Sequence, residues 1–114
     1  MTNYKFTHSC ARDYARLQKK YRSLPEDLER FCTFTRKLEE EKGFPAMNKN
    51  YTLLKSTEKV SIYKARLACM SLPGNKMRLV YARHKEIIEF IMIELYPKNE
   101  KDREDKERIA EYLG

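Results

Sequence analysis

Apolar residues recur with two different periods along the chain. Tyr4 to Thr7 alternates and predicts a short first strand. The pattern then becomes helical. Ala11, Tyr14, Leu17 and Tyr21 share one face, with Arg12, Arg16, Lys19 and Lys20 mostly outside it. Ser23-Leu24-Pro25-Glu26 predicts a second helix start, with Ser23 as cap, Pro25 in the first turn and Glu26 completing a capping box. Leu28, Phe31, Cys32, Phe34 and Leu38 form its stripe. It is expected to end near Lys42-Gly43, where glycine supplies a left-handed cap, with Pro45 just beyond. Two amphipathic helices so closely linked predict a helical hairpin lying on a flat partner.

Pro45 to Thr57 has no clean period and reads as a loop. Val60 and Ile62 then alternate with Lys59 and Ser61, and Tyr63, Ala65, Leu67 and Cys69 with Lys64, Arg66 and Ala68. The change of parity at Ile62–Tyr63 suggests a bulge or twist in one long strand. Leu72-Pro73-Gly74-Asn75 is a turn signal, Met77 to Ala82 a further strand, and His84-Lys85-Glu86 a tight reversal. Ile87 to Tyr96 is nearly continuously apolar, as a central strand would be. Glu100 to Glu107 is charged nearly all round, whereas Ile109, Tyr112 and Leu113 can dock a terminal helix. The expected order is β-α-α-β-β-β-α. This is an α+β fold, a small twisted antiparallel sheet with the helical hairpin on one face and the other face partly open.

The 114 residues suit a single domain spanning 1–114. The Ile87–Tyr96 run contains Glu89 and Glu94 and is far shorter than the roughly 20 apolar residues a membrane helix needs. The opening MTNYKFTHSC lacks the apolar core of a secretory leader. Three widely spaced cysteines, Cys10, Cys32 and Cys69, with no CxxC, indicate neither a disulfide framework nor a zinc site. The expectation is a cytoplasmic protein with reduced thiols, no membrane association, no metal and no cofactor. Lys and Arg total 24 against 17 Asp and Glu, a net charge of +7, which favours RNA, DNA or an acidic protein as partner. His8 and His84 have no ligand-spaced partners. Glu39-Glu40-Glu41 and the run from Lys98 to Arg108 read as solvated helix faces. Nucleotide-binding glycine loops and nucleophile elbows are absent.

The open sheet face is where chemistry is expected. Lys64 and Arg66, two apart in a strand, project from the same side, away from Tyr63, Ala65 and Leu67. Arg78 lies opposite in sense to Leu79 and Tyr81 and can join them. Tyr96 and Lys98 share a side at the end of the last strand. Four cations with a tyrosine beside them form a surface fit for a phosphodiester, since guanidinium forks pair with phosphate and clustered cations stabilise a dianionic transition state. Basic residues on exposed strands also serve as plain solvated or edge-guarding groups.

Phe6 leading into CARDYARLQKKYRSLPEDLERF, then a basic strand, MRLVY, and IELYPKNEKDREDKERIAEYL together resemble the RelE/ParE toxin superfamily over nearly the whole chain. KKYRSLPEDLERF and MRLVY followed by LYPKNEK carry most of the resemblance. It implies a toxin of a type II toxin–antitoxin pair. RelE-like members cut mRNA in the ribosomal A site by attack of the ribose 2′-OH on the neighbouring phosphate. ParE-like members poison DNA gyrase. The RelE-type basic positions fall on Lys64 and Arg66, on Arg78 and on Lys98. Arg78 and Arg66 are then phosphate binders, and Lys64 or Lys98 assists proton transfer or charge neutralisation. The family's frequent Tyr or His in the last segment has only Tyr112 after Lys98, and Tyr96 is the nearer substitute. The implied partners are mRNA on the ribosome and a cognate antitoxin. That antitoxin is expected to present an amphipathic or extended segment with acidic residues to the basic face, in a toxin–antitoxin hetero-oligomer. A gyrase-directed or degenerate toxin that acts only by binding shares the same pattern. A plain RNA-binding module of the common RNA-recognition type lacks its aromatic motif here.

Overall fold

The computed structural model describes residues 4–43, 48–87 and 89–114, the side chain of Asn75 excepted. Pro45, Ile88 and the first three residues, on which some of the expectations rest, lie outside them. The order is β1 (Tyr4–Phe6), α1 (His8–Lys20), α2 (Leu24–Lys42), β2 (Tyr51–Ser56), β3 (Val60–Cys69), β4 (Leu72–His84), β5 (Phe90–Pro97) and α3 (Lys106–Leu113). The strands form one sheet in the order β1-β5-β4-β3-β2. β2 to β5 are an antiparallel meander, whereas β1 runs parallel to β5, so the sheet is mixed rather than wholly antiparallel. The α1–α2 crossover carries the chain from one edge of the sheet to the other.

The stretch read as a loop contains β2. As an edge strand it buries only Tyr51 fully, and its pairing with β3 slips by one residue at Leu54. A bulged, half-exposed edge shows no clean alternation, which hid it.

Helix starts and stops follow local chemistry. Thr7 caps α1 by accepting from the Cys10 N–H at 3.3 Å, and Gly43 ends α2 at φ 88°. The capping box expected at Ser23 does not form. Ser23 is in a helical conformation (φ −78°, ψ −7°), and its hydroxyl donates to Asp27 Oδ2 at 2.6 Å. That hydroxyl also accepts from the N–H and hydroxyl of Ser71 at 2.9 and 2.7 Å. The α1–α2 junction is thereby tied to the two-residue turn Met70–Ser71, which joins β3 to β4. The turn signal at Leu72–Asn75 is displaced into β4. Leu67 pairs with Met77 and Cys69 with Leu72, so Pro73 to Lys76 interrupt the β3–β4 register, with Gly74 at φ 89°.

Leu17, Leu24, Leu28 and Cys32 of the helices pack on Tyr63, Leu67, Leu79, Tyr81, Met92 and Leu95. Fully burying each such side chain contributes about 1.5–3 kcal/mol. Ala11 and Phe34 are exposed, contrary to the helical stripes; Cys10, Thr35 and Glu39 are buried instead. On the other face Val60, Ile62, Val80, Ala82 and Ile93 pack under Ile109 of α3.

These two clusters explain the parity change in β3. Its register with β4 is continuous from Val60↔His84 to Leu67↔Met77, so β3 itself has no bulge there. Val60 and Ile62 face α3, Tyr63 and Ala65 face α2, and the lower part of the strand is buried on both sides. The slips occur on its surroundings, at Leu54 in β2 and between Val80 and Tyr81 in the β4–β5 pairing. Among the described residues no helix is long and apolar enough to cross a membrane.

Candidate functional site

α3 covers only part of its sheet face and leaves the rest to charged side chains. Arg66 pairs with Arg78, and Arg78 with Tyr96, so these three form one row across β3, β4 and β5. Lys64, Val80 and Glu94 form the next row. Directly paired residues in an antiparallel sheet share a face and hold their Cβ atoms about 4.5–5.5 Å apart. Two guanidinium stems placed opposite each other repel, and an anion between them relieves that cost. Lys98 lies just past β5, where its N–H donates to the Lys76 carbonyl at 2.6 Å and extends the β4–β5 ladder by one bond.

Lys64, Arg66, Arg78 and Lys98 line one cleft of about 250 Å³, together with Lys49 and Asp102. Tyr96 is in the Arg66–Arg78 row but only 2% exposed, and its hydroxyl has no hydrogen-bond partner among the described residues. Burial, with the carboxylates of Glu104 and Glu94 nearby, pushes the Tyr96 phenol up to about 12, against the lowering influence of Arg78. At neutral pH it is a protonated donor. The ammonium of Lys101 lies 5.1 Å above its ring and pairs with the buried Glu94.

The segment between β5 and α3 shapes this cleft. The charged run from Lys98 to Arg108 is not one helix face, because α3 begins only at Lys106, and Glu100, Lys101 and Glu104 before it are paired across the fold. Lys64 donates to Glu104 Oε1 at 2.8 Å, and this bond holds the Glu104 carboxyl below its ordinary range. Glu100 pairs with Arg16 at 3.1 Å, and Glu94 accepts from the Asp105 N–H at 2.8 Å. Arg108 grips Asp13 of α1 at 2.6 and 3.1 Å. Sequence reading missed Lys49, Asp102 and Glu104. Lys49 precedes a strand that was itself unrecognised, and no periodicity reports a loop that folds back on a sheet.

The other titratable groups lie elsewhere. Glu39 is buried, not solvated: it receives Arg83 through two bonds of 2.9 and 2.6 Å, and Arg83 stacks 4.0 Å over Phe90. The inward phase of Leu79, Tyr81 and Arg83 was a readable sign of that cation. His84, at the far end of β4 from Arg78, hydrogen-bonds the Tyr112 hydroxyl. Cys10, Cys32 and Cys69 are free thiols and all buried. Burial pushes the Cys32 thiol up to about 12 and raises Cys10 well above its ordinary range, so neither is a thiolate nucleophile at neutral pH. Among the described residues no three His, Cys, Asp or Glu side chains are grouped to hold a metal ion.

No protein-family model matches the chain, and no curated protein matches its sequence. Among solved structures, its fold is similar to a chain of the crystal structure of the archaeal RelE–RelB complex from Pyrococcus horikoshii OT3. The TM-score is 0.51 at 18% sequence identity, over 88% of this chain and 98% of that one. The fold is therefore RelE-like.

Proposed function

We propose that the chain is the toxin of a type II toxin–antitoxin pair, acting as a ribosome-dependent, metal-independent mRNA endonuclease. The observation that carries this reading is the convergence of Lys64, Arg66, Arg78 and Lys98 on one cleft of a RelE-like sheet. In the proposed reaction the 2′-oxygen of a ribose forms a bond to the adjacent phosphorus. The bond to the 5′-oxygen breaks, leaving a 2′,3′-cyclic phosphate and a 5′-hydroxyl. Arg66 and Arg78 bind the phosphate and stabilise the charge that builds on its oxygens. Lys64 or Lys98 assists proton transfer or neutralises charge as the 2′-hydroxyl proton leaves and the 5′-oxygen takes one up. Tyr96 flanks Arg78 at the end of the row as a neutral phenol.

A translation reaction on purified ribosomes, with the mRNA mapped by primer extension, tests this. Cuts at A-site codons that disappear in Arg78→Ala are expected. Intact mRNA from folded wild-type protein overturns the nuclease reading.

A second reading is favoured by the burial of Tyr96 and the pairing of Lys64 with Glu104. In it the protein is a gyrase-directed or degenerate toxin that works by binding alone. Supercoiling assays with purified gyrase separate the two. Either reading includes a cognate antitoxin as partner.

A further inference from the structure

We propose that Asp102 is the general base of the cleft: its carboxylate takes the proton of the ribose 2′-hydroxyl, a role that rests on the nuclease reading and completes its chemistry.

The cations are not suited to that role. Ammonium and guanidinium groups are protonated at neutral pH and donate hydrogen bonds without accepting them. Lys49, Lys64, Arg66, Arg78 and Lys98 can therefore bind a phosphate, but none is ready to receive a proton. The other residues that line the cleft are Asn50, Thr52, Ala65 and Asp102. Amides and hydroxyls are too weakly basic to hold a proton. Asp102 is thus the one carboxylate lining the cleft among the described residues.

The nearby carboxylates are committed elsewhere. Glu104 accepts from Lys64 at 2.8 Å. Glu94 is only 2% exposed, pairs with Lys101 and accepts the Asp105 N–H at 2.8 Å. Asp102 has no ion pair and no side-chain hydrogen bond among the described residues, although it shares the cleft with five cations. A carboxylate that lines the cleft without touching its cations leaves space for a group that engages both. A phosphodiester with its ribose is such a group. Its phosphate oxygens meet the guanidinium forks and its 2′-hydroxyl meets the carboxylate. After burial and the carboxylates of Glu104 and Glu94, Asp102 adds to the upward shift of the Tyr96 phenol, which places it near the Arg78–Tyr96 end of the row.

The chain holds Asp102 from both sides. Before it, Glu100 pairs with Arg16 at 3.1 Å, and the N–H groups of Glu100 and Lys101 donate to the Pro97 carbonyl at 3.0 and 3.3 Å. After it, Glu104 and Asp105 are tied to Lys64 and Glu94. A base anchored in this way loses little freedom on meeting its substrate. In the step so assigned, the 2′-oxygen gives its proton to Asp102 as it bonds to phosphorus. The bond from phosphorus to the 5′-oxygen breaks, and an ammonium proton of Lys98 or Lys64 moves to the departing oxygen. Asp102 then returns its proton to water and the lysine regains one, so the protein ends unchanged.

The test is single-turnover cleavage of mRNA on purified ribosomes by Asp102→Asn and Asp102→Glu beside the wild type. Asp102→Asn is expected to cut about 100-fold more slowly. Its affinity for a labelled single-stranded RNA should hold or rise, because a negative charge has left the cleft. Asp102→Glu restores the carboxylate and should recover the rate to within about tenfold of wild type. Glu107→Gln, an equal change of charge at an exposed position of α3, should cut as wild type does. Equal melting temperatures establish that the variants fold. A carboxylate base also gives a wild-type rate that varies little between about pH 6 and 9, whereas a lysine base makes it climb about tenfold per unit. Asp102→Asn cutting at the wild-type rate, or a wild-type rate that climbs in that way, overturns the assignment. Slower cutting accounted for wholly by weaker RNA binding overturns it as well. Each of these outcomes leaves the nuclease reading standing. Wild-type protein that leaves mRNA intact on ribosomes overturns that reading, and the role of Asp102 falls with it.

Discussion

Lys64 of β3 and Glu104, from the link between β5 and α3, lie 2.8 Å apart across the open face of the sheet. Their side chains are 27% and 13% exposed, so this is a partly desolvated pair rather than a solvated one. It holds the link against the cleft and offsets one of the cations that a phosphate would use.

Glu104→Gln keeps the shape and removes the charge. Affinity for a labelled single-stranded RNA is expected to rise a few-fold, measured by anisotropy at low salt, because Lys64 regains its full field. Unfolding in urea should show a loss of about 1 kcal/mol. Unchanged RNA affinity would show that Lys64 does not meet the strand.

Arg78→Ala and Tyr96→Phe should diverge. The first removes the central guanidinium of the Arg66–Arg78–Tyr96 row and is expected to lower ribosome-dependent cleavage by about 100-fold or more, with melting unchanged. The second removes a buried hydroxyl that has no partner among the described residues, so stability should hold or rise by up to about 1 kcal/mol. Cleavage should fall less than about tenfold. Primer extension and thermal melting on the same preparations measure both.

Arg83→Met leaves Glu39 buried, with Arg36 at 3.6 Å as its remaining cation. A loss of about 3 kcal/mol is expected in urea unfolding. Replacing both members, Arg83→Met with Glu39→Leu, should restore most of that stability, since no unpaired charge is then buried. A double variant as unstable as the single one would refute this account.

Acid should loosen the fold through Asp27. Burial alone would raise its carboxyl pKa, but hydrogen bonds from Ser23, Arg30, Cys69 and the Met70 N–H outweigh it and hold the group below its ordinary range. Glu104 is shifted in the same direction by Lys64. A folded pKa below the unfolded one gives stability that is present above the unfolded value and is lost as pH falls through the folded value. Unfolding free energy is therefore expected to decline below about pH 4. Asp27→Asn should be less stable at pH 7 and show a shallower acid slope, read from urea titrations at several pH values.

Both helices of the hairpin, the strand character of β3, β4 and β5, and the docking of Ile109 are legible in the chain because each is a local period. The same holds for the side on which Lys64, Arg66 and Arg78 project, since alternation in a strand assigns each residue to a face. Alternation does not say what covers that face. Val60 and Ile62 look out of phase with Tyr63 and Ala65 only because α3 buries the second side of the same strand.

What the sequence by itself determined is the set of amphipathic elements and the sidedness of the cations. The tertiary structure alone decided that Tyr51–Ser56 adds an edge strand, that β1 joins β5 in parallel, that Arg83 reaches Glu39, and that Glu104 returns to Lys64. Each of these is a contact between residues far apart in the chain. Its strength comes from desolvation and charge pairing that exist only once the intervening elements have packed, so no local pattern carries it.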